Sequence, residues 1–151
     1  LYYINGDNLI QTIRVDDRMK NVNTGKFINK GFELDVTYTI NNEWEVTANY
    51  AYLHTDKRIV GAPKNKLFAE VSYTPGNWEF SLDTMGIWGL NTELSKEDYC
   101  LLNARCAYTI PWQAPLTLFV KGENLTGARY QINYGFPMPK ATTMAGVEWK
   151  F

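Results

Sequence analysis

Side chains of the kinds that catalyse reactions or hold metals are sparse in this chain and poorly grouped. His54 is the only histidine among 151 residues and lies in a polar stretch, so a histidine–nucleophile pair has little to build on. Glu33, Asp35, Glu45, Glu70, Glu79 and Asp83 could in principle pair as acid and base. They recur at alternate positions of strand-like segments, however, which is also where water-facing charges fall. Glu93, Glu97 and Asp98 offer oxygens of the kind Ca²⁺ takes, without the spacing of a calcium loop. Cys100 and Cys106 share one face of a strand-like segment, roughly 20 Å apart by strand rise. That is too far for a disulfide, and no CxxC motif is present. Gly86, Gly89 and Gly122 match no phosphate loop and suit bulges or crowded positions in strands. The expectation is a protein that is not an enzyme and carries no metal or cofactor.

The segments around these residues alternate with a period of two and show no sustained helical spacing. Leu1–Ile4 is already strand-like, so the chain reads as starting inside a strand, and Leu9–Val15 reads as its continuation. A polar link over Asp16–Lys26 leads to Phe27–Ile40, and Asn41-Asn42 turns the chain into Trp44–Leu53. A longer link, His54–Asn65, leads to Lys66–Tyr73, and Pro75-Gly76-Asn77 turns it into Trp78–Trp88. Asn91–Asp98 is a charged link before Tyr99–Ile110, and a short proline-bracketed stretch, Pro111–Pro115, precedes Leu116–Glu123. Asn124–Lys140 is the longest link, before a closing strand over Ala141–Phe151. The expected fold is all-β: an antiparallel up-and-down meander of about eight strands, part of a transmembrane β-barrel, with short turns at one end and long links at the other.

The apolar faces of these strands contain no Asp, Glu, Lys or Arg, while the opposite faces carry the carboxylates above with Arg105, Lys121, Glu123, Glu148 and Lys150. A bilayer enforces such exclusion, since a lipid-facing Arg or Lys near the midplane costs roughly 2–4 kcal/mol. A soluble sandwich or calyx would also keep its core free of charge. The aromatics, 15% of the chain, favour the bilayer. Trp44, Tyr73, Trp78, Tyr108, Trp112 and Trp149 fall near the short turns or the chain end, Tyr52 and Trp88 near the long links. Two aromatic levels around an aliphatic band are expected of a membrane-interface girdle. A mean hydropathy of -0.33 suits a barrel, whose alternation averages out, and excludes a helical membrane protein. A net charge of -1 leaves no basic excess for nucleic acid.

The stretch Asn124-Leu125-Thr126-Gly127-Ala128-Arg129-Tyr130, then Gly135-Phe136-Pro137-Met138-Pro139, then a strand ending Trp149-Lys150-Phe151, resembles the carboxyl end of TonB-dependent outer-membrane receptors. Lys140-Ala141 departs from the Gly-Arg often found there. The resemblance covers the whole chain, 1–151, as the carboxyl-terminal portion of such a barrel, with specific motifs only in Glu123–Phe151. It implies import of a scarce nutrient, such as a ferric siderophore or cobalamin, in the bacterial outer membrane. The implied partners are outer-membrane lipid, a plug domain of the same full-length chain, the TonB complex acting through that plug, and the barrel-assembly machinery. Plugged barrels have about 22 strands, so eight make roughly the last third.

Within that reading, Tyr130, Tyr134, Phe136 and Met138 are the candidate ligand-binding residues at the extracellular mouth, where flat apolar groups could hold a bulky ligand. Val147, Trp149 and Phe151 are the candidate assembly signal, on a strand able to add to another sheet edge. A complete eight-stranded barrel of structural or adhesive role, and a soluble lipocalin-like binder of a small apolar ligand, are the alternatives these strands also allow.

Overall fold

The computed structural model describes residues 1–23, 25–112 and 115–149. Its backbone is strand, turn and loop, with no helix among the described residues. Eight strands form one antiparallel sheet: β1 (Tyr2–Gly6), β4 (Phe27–Thr39), β5 (Trp44–Thr55), β6 (Asn65–Tyr73), β7 (Trp78–Asn91), β8 (Lys96–Ile110), β9 (Leu116–Glu123) and β10 (Thr142–Trp149), neighbours in that order. Each strand after β1 pairs with the next along the chain, as a meander requires. Among the described residues β1 and β10 do not pair with each other, so the sheet is an open wall rather than a closed eight-stranded barrel.

Local chemistry explains the turns. Asn41 Oδ1 accepts the N–H groups of Glu43 and Trp44, both at 2.9 Å, and this side-chain turn joins β4 to β5. Gly76, at φ +60°, occupies the turn between β6 and β7.

Three expectations are corrected. Leu9–Val15 does not continue the opening strand, and Asp16–Lys26 is not simply a link. Instead β2 (Ile10–Val15) and β3 (Arg18–Asn23) form a separate hairpin, turned by Asp16 and Asp17 at φ +48° and +59°. Positive φ at both central residues is the geometry that matches strand twist in a two-residue hairpin. The charged link expected over Asn91–Asp98 is also shorter: β7 runs to Asn91 and β8 starts at Lys96. The pairing shifts register between Ile87 and Leu90, where Gly89 takes φ +70°, and the Trp88 ring folds back over the face of Gly86.

Side-chain alternation divides the sheet into two unlike faces. One carries, in cross-strand rows, Val46–Val71–Leu82–Ala104 and Val36–Ala48–Ala69–Thr84–Leu102. The other carries Thr37–Thr47–Glu70–Asp83–Asn103 and Ser72–Ser81–Arg105–Lys121. Among the described residues no second layer covers the apolar face: Leu34, Leu118, Val147 and Trp149 are 56%, 43%, 62% and 63% exposed. A soluble core would have buried them. The buried apolar side chains are few, with Ile87, Leu90 and Leu101 grouped near the end of β7 and β8.

Rings line the turn end of the apolar face. Trp44 stacks on Tyr73 at 4.3 Å, Tyr73 on Phe80 at 6.2 Å, Phe80 on Trp78 at 5.7 Å, and Trp78 meets Tyr108 at 4.7 Å. Trp112 lies beyond the end of β8 and Trp149 opposite Leu116, both exposed. At the other end Phe32 touches Tyr50 and Tyr52, at 5.6 and 5.9 Å.

Candidate functional site: a cavity among the loops

The polar face is held together by cross-strand bonds between its own residues. Asn49 donates to Asp35, Asn103 to Asp83 at 2.6 Å, and the hydroxyls of Thr109 and Thr117 are 2.9 Å apart. Arg105 pairs with Glu79 and, at 3.4 Å, with Glu148 on β10, while its guanidinium lies 5.2 Å from the Phe119 ring centroid. The carboxylates raised as acid and base are thus at least partly occupied in holding the wall. This face also carries a row of apolar groups absent from the alternation reading, Phe68–Met85–Leu101.

The loops meet at the opposite end from the short turns. Arg58 Nη2 donates to the carbonyls of Thr92 and Glu93 at 2.7 and 3.3 Å, tying the 56–64 loop to the β7–β8 tip. Gln11 on β2 donates to the Arg58 carbonyl at 3.0 Å, which brings the hairpin in. From the other side, Tyr134 N–H donates to Glu93 Oε2 at 3.0 Å and Gln131 Nε2 to Glu97 Oε1 at 3.1 Å. Thr92, fully buried, and Ser95 close the tip itself through paired hydroxyls 2.8 Å apart.

These contacts border an open cavity of about 890 Å³ lined by Ile13, Met19, Ile59, Val60, Leu94 and Tyr134, with Arg14, Lys57, Arg58 and Glu93 among its polar positions. The volume is that of a small-molecule pocket. Its charge leans positive, three cations to one carboxylate, although Arg14 is also bonded to Asp17 at 2.9 Å. The Tyr134 N–H, and then Glu93's own N–H, hold the Glu93 carboxyl below the usual carboxylate range. The bond is therefore complete at neutral pH and is lost only as pH falls through that lowered value. Glu93→Ala should leave the Tyr134 amide exchanging with deuterium faster at pH 7 while strand amides keep their protection.

Of the residues singled out at the mouth, Tyr134 alone lines this cavity. Tyr130 stacks on Tyr99 at 4.1 Å. Phe136 is 72% exposed, and Met138 donates its N–H to the Tyr130 carbonyl at 3.0 Å. Phe151 lies outside the described residues.

Asn124, quoted in the sequence only as part of a motif, organises the loop that carries Tyr134. It is 4% exposed and sits at φ +49°. Its Nδ2 donates to the carbonyls of Ala128 and Pro139 at 2.9 and 3.1 Å, and its Oδ1 accepts from Ala128 N–H at 2.9 Å. Its own N–H donates to Asn103 Oδ1 at 2.9 Å, joining the loop to the wall. One side chain therefore fastens both ends of the loop. The signal was Asn directly after a strand and before Leu-Thr-Gly, a residue type that tolerates left-handed backbone.

A family model described as "TonB dependent receptor-like, beta-barrel" matches residues 1–125. The chain belongs to that family. Of the motif stretch only Glu123, Asn124 and Leu125 fall within the match, so the match rests largely on residues other than those that first suggested the receptors. Among solved structures, the chain is similar to one titled "Copper transporter OprC", at a TM-score of 0.79 and 17% identity. The alignment covers 99% of this chain and 28% of that one. At such identity the likeness shows a shared barrel fold. A search of curated proteins finds no match.

Proposed function

We propose that the chain forms wall and mouth of an outer-membrane TonB-dependent receptor that imports a scarce nutrient. One observation carries this reading: an apolar face free of charge between its two groups of rings and, among the described residues, without a covering layer, backed by a face of bonded charges. Lipid covers the first face, and Trp44, Tyr73, Trp78, Tyr108, Trp112 and Trp149 mark its interface level. The second faces the lumen, where the plug of the full-length chain packs against Phe68, Met85 and Leu101. The plug couples the receptor to the TonB complex.

The loop cavity takes part in ligand capture. Its apolar lining and its Arg14, Lys57 and Arg58 suit a bulky ligand with apolar surface and negative charge, the chemistry of many ferric siderophores. Tyr134→Ala in the full receptor should weaken ligand binding roughly tenfold, the scale of one buried ring contact. Phe136→Ala, outside the cavity, should change it little. Unchanged affinity for Tyr134→Ala at normal surface expression would remove the cavity from the binding site.

Assembly supplies a further test. Val147 and Trp149 on β10, with Phe151 after them in the sequence, are the residues assigned to recognition by the barrel-assembly machinery, through pairing with a sheet edge. Deleting Phe151 should lower the amount of folded, heat-modifiable receptor in the outer membrane. Wild-type amounts would refute that role.

A further inference from the structure

A second recess, of about 470 Å³, opens where the loops meet the ends of β5, β7 and β8, and its lining is polar and basic. Lys57, Arg58, Lys64, Lys96 and His54 line it together with Asp56. The Lys64 ammonium lies 5.9 Å from the Tyr52 ring centroid, and Lys64 and Lys96 both flank Gly89 on the β7 bulge. The nearby carboxylates are engaged with backbone: Asp56 Oδ1 accepts the Ile28 N–H at 2.9 Å, and Asp98 Oδ1 accepts the Gly89 N–H. Among the described residues, none of the three lysines is in an ion pair. Four cations thus stand against the one carboxylate of the lining, an excess of charge that an anion would relieve.

We infer that this recess binds the phosphate of an anionic lipid headgroup in the outer leaflet. Position favours a lipid over a free anion. Tyr52 shares the apolar face with Phe32, 5.9 Å away, so the lysines stand just beyond the upper rings, at headgroup depth. The inference rests on the reading that this face meets lipid. It adds a site that shares Lys57 and Arg58 with the ligand cavity but is built around Lys64 and Lys96, which do not line that cavity.

The test uses the full-length receptor in phosphatidylcholine nanodiscs doped with either bis-phosphorylated lipid A or its dephosphorylated form. Retained lipid is counted by native mass spectrometry. Wild type should retain the phosphorylated lipid selectively and release it as salt rises. Lys64→Gln and Lys96→Gln should each weaken retention roughly fivefold, the effect of one cation near a charged surface. A Lys64→Arg, Lys96→Arg double variant should keep it. Equal retention of the two lipids by wild type, or no loss in the glutamine variants, would overturn the site. Displacement by millimolar inorganic phosphate would make it a free-anion site and overturn the lipid assignment. Heat-modifiability separates the two levels of the argument: a wild-type receptor that fails to insert counts against the lipid-facing wall itself, whereas an inserted receptor without phosphate selectivity counts only against this site.

Discussion

Leu82→Arg should destabilise the membrane-inserted receptor by roughly 2–4 kcal/mol, and Thr47→Arg should not. Leu82 is 50% exposed on the apolar face, in the row Val46–Val71–Leu82–Ala104 between the two groups of rings. On the proposed reading an arginine there would replace hydrocarbon contact with a charge held between the two levels of rings, on a face that offers its row no counter-charge. Thr47 belongs to the adjacent row on the other face, directly opposite Glu70, with Asp83 one strand further. An arginine there gains carboxylate partners, worth about 0.2–1 kcal/mol for a cross-strand pair. Chemical-denaturant unfolding from phospholipid vesicles measures both. Similar losses for the two variants would mean that the faces do not meet different solvents.

Asn124→Ala should be the most damaging change among the loops, costing roughly 2–4 kcal/mol of local stability. The substitution strands the Ala128 N–H and the carbonyls of Ala128 and Pro139, and it leaves alanine at φ +49°. Asn124→Asp should recover part of this loss, since a carboxylate still accepts from Ala128 N–H and tolerates the left-handed backbone. Hydrogen exchange reads the outcome residue by residue: the amides of the 125–141 loop should lose protection while those of β6 and β7 keep theirs. Ligand affinity should fall with the loop, because Tyr134 reaches the cavity only when the loop is docked. Loss of protection across the whole sheet would instead make Asn124 part of the wall's global stability.

The wall was legible in the sequence because each strand presents two unlike faces, and that difference writes itself at every second residue. Leu34 against Glu33, or Leu82 against Asp83, needs no tertiary information. The hairpin β2–β3 was not legible for the complementary reason. Arg18-Met19-Lys20-Asn21-Val22-Asn23 is exposed almost throughout, so no face selects apolar residues. Its turn uses Asp16-Asp17 in place of the Asn-Gly or Asp-Gly pairs that announce such hairpins. The charged start of β8, Lys96-Glu97-Asp98, looked like loop because it lies at the loop end, where charge is tolerated on both faces.

The site was less legible than the wall. Tyr130, Tyr134, Phe136 and Met138 are equivalent as residue types. What separates Tyr134 from the rest is a backbone N–H directed at Glu93 and the hairpin that closes the far side of the cavity, both set by loop geometry. Phe68, Met85 and Leu101 were passed over because alternation was read as apolar against polar. A face that packs on a plug can carry both kinds of side chain.

The central claim is that hydrocarbon covers the apolar face. Single cysteines at Leu34, Leu118 and Val147, and at Glu33, Thr47 and Glu79, can be labelled with bimane in a receptor lacking Cys100 and Cys106 and reconstituted in lipid with brominated acyl chains. Bromine should quench the first three and spare the second three. Quenching at Glu33, Thr47 and Glu79, with Leu34, Leu118 and Val147 shielded from lipid, would contradict it.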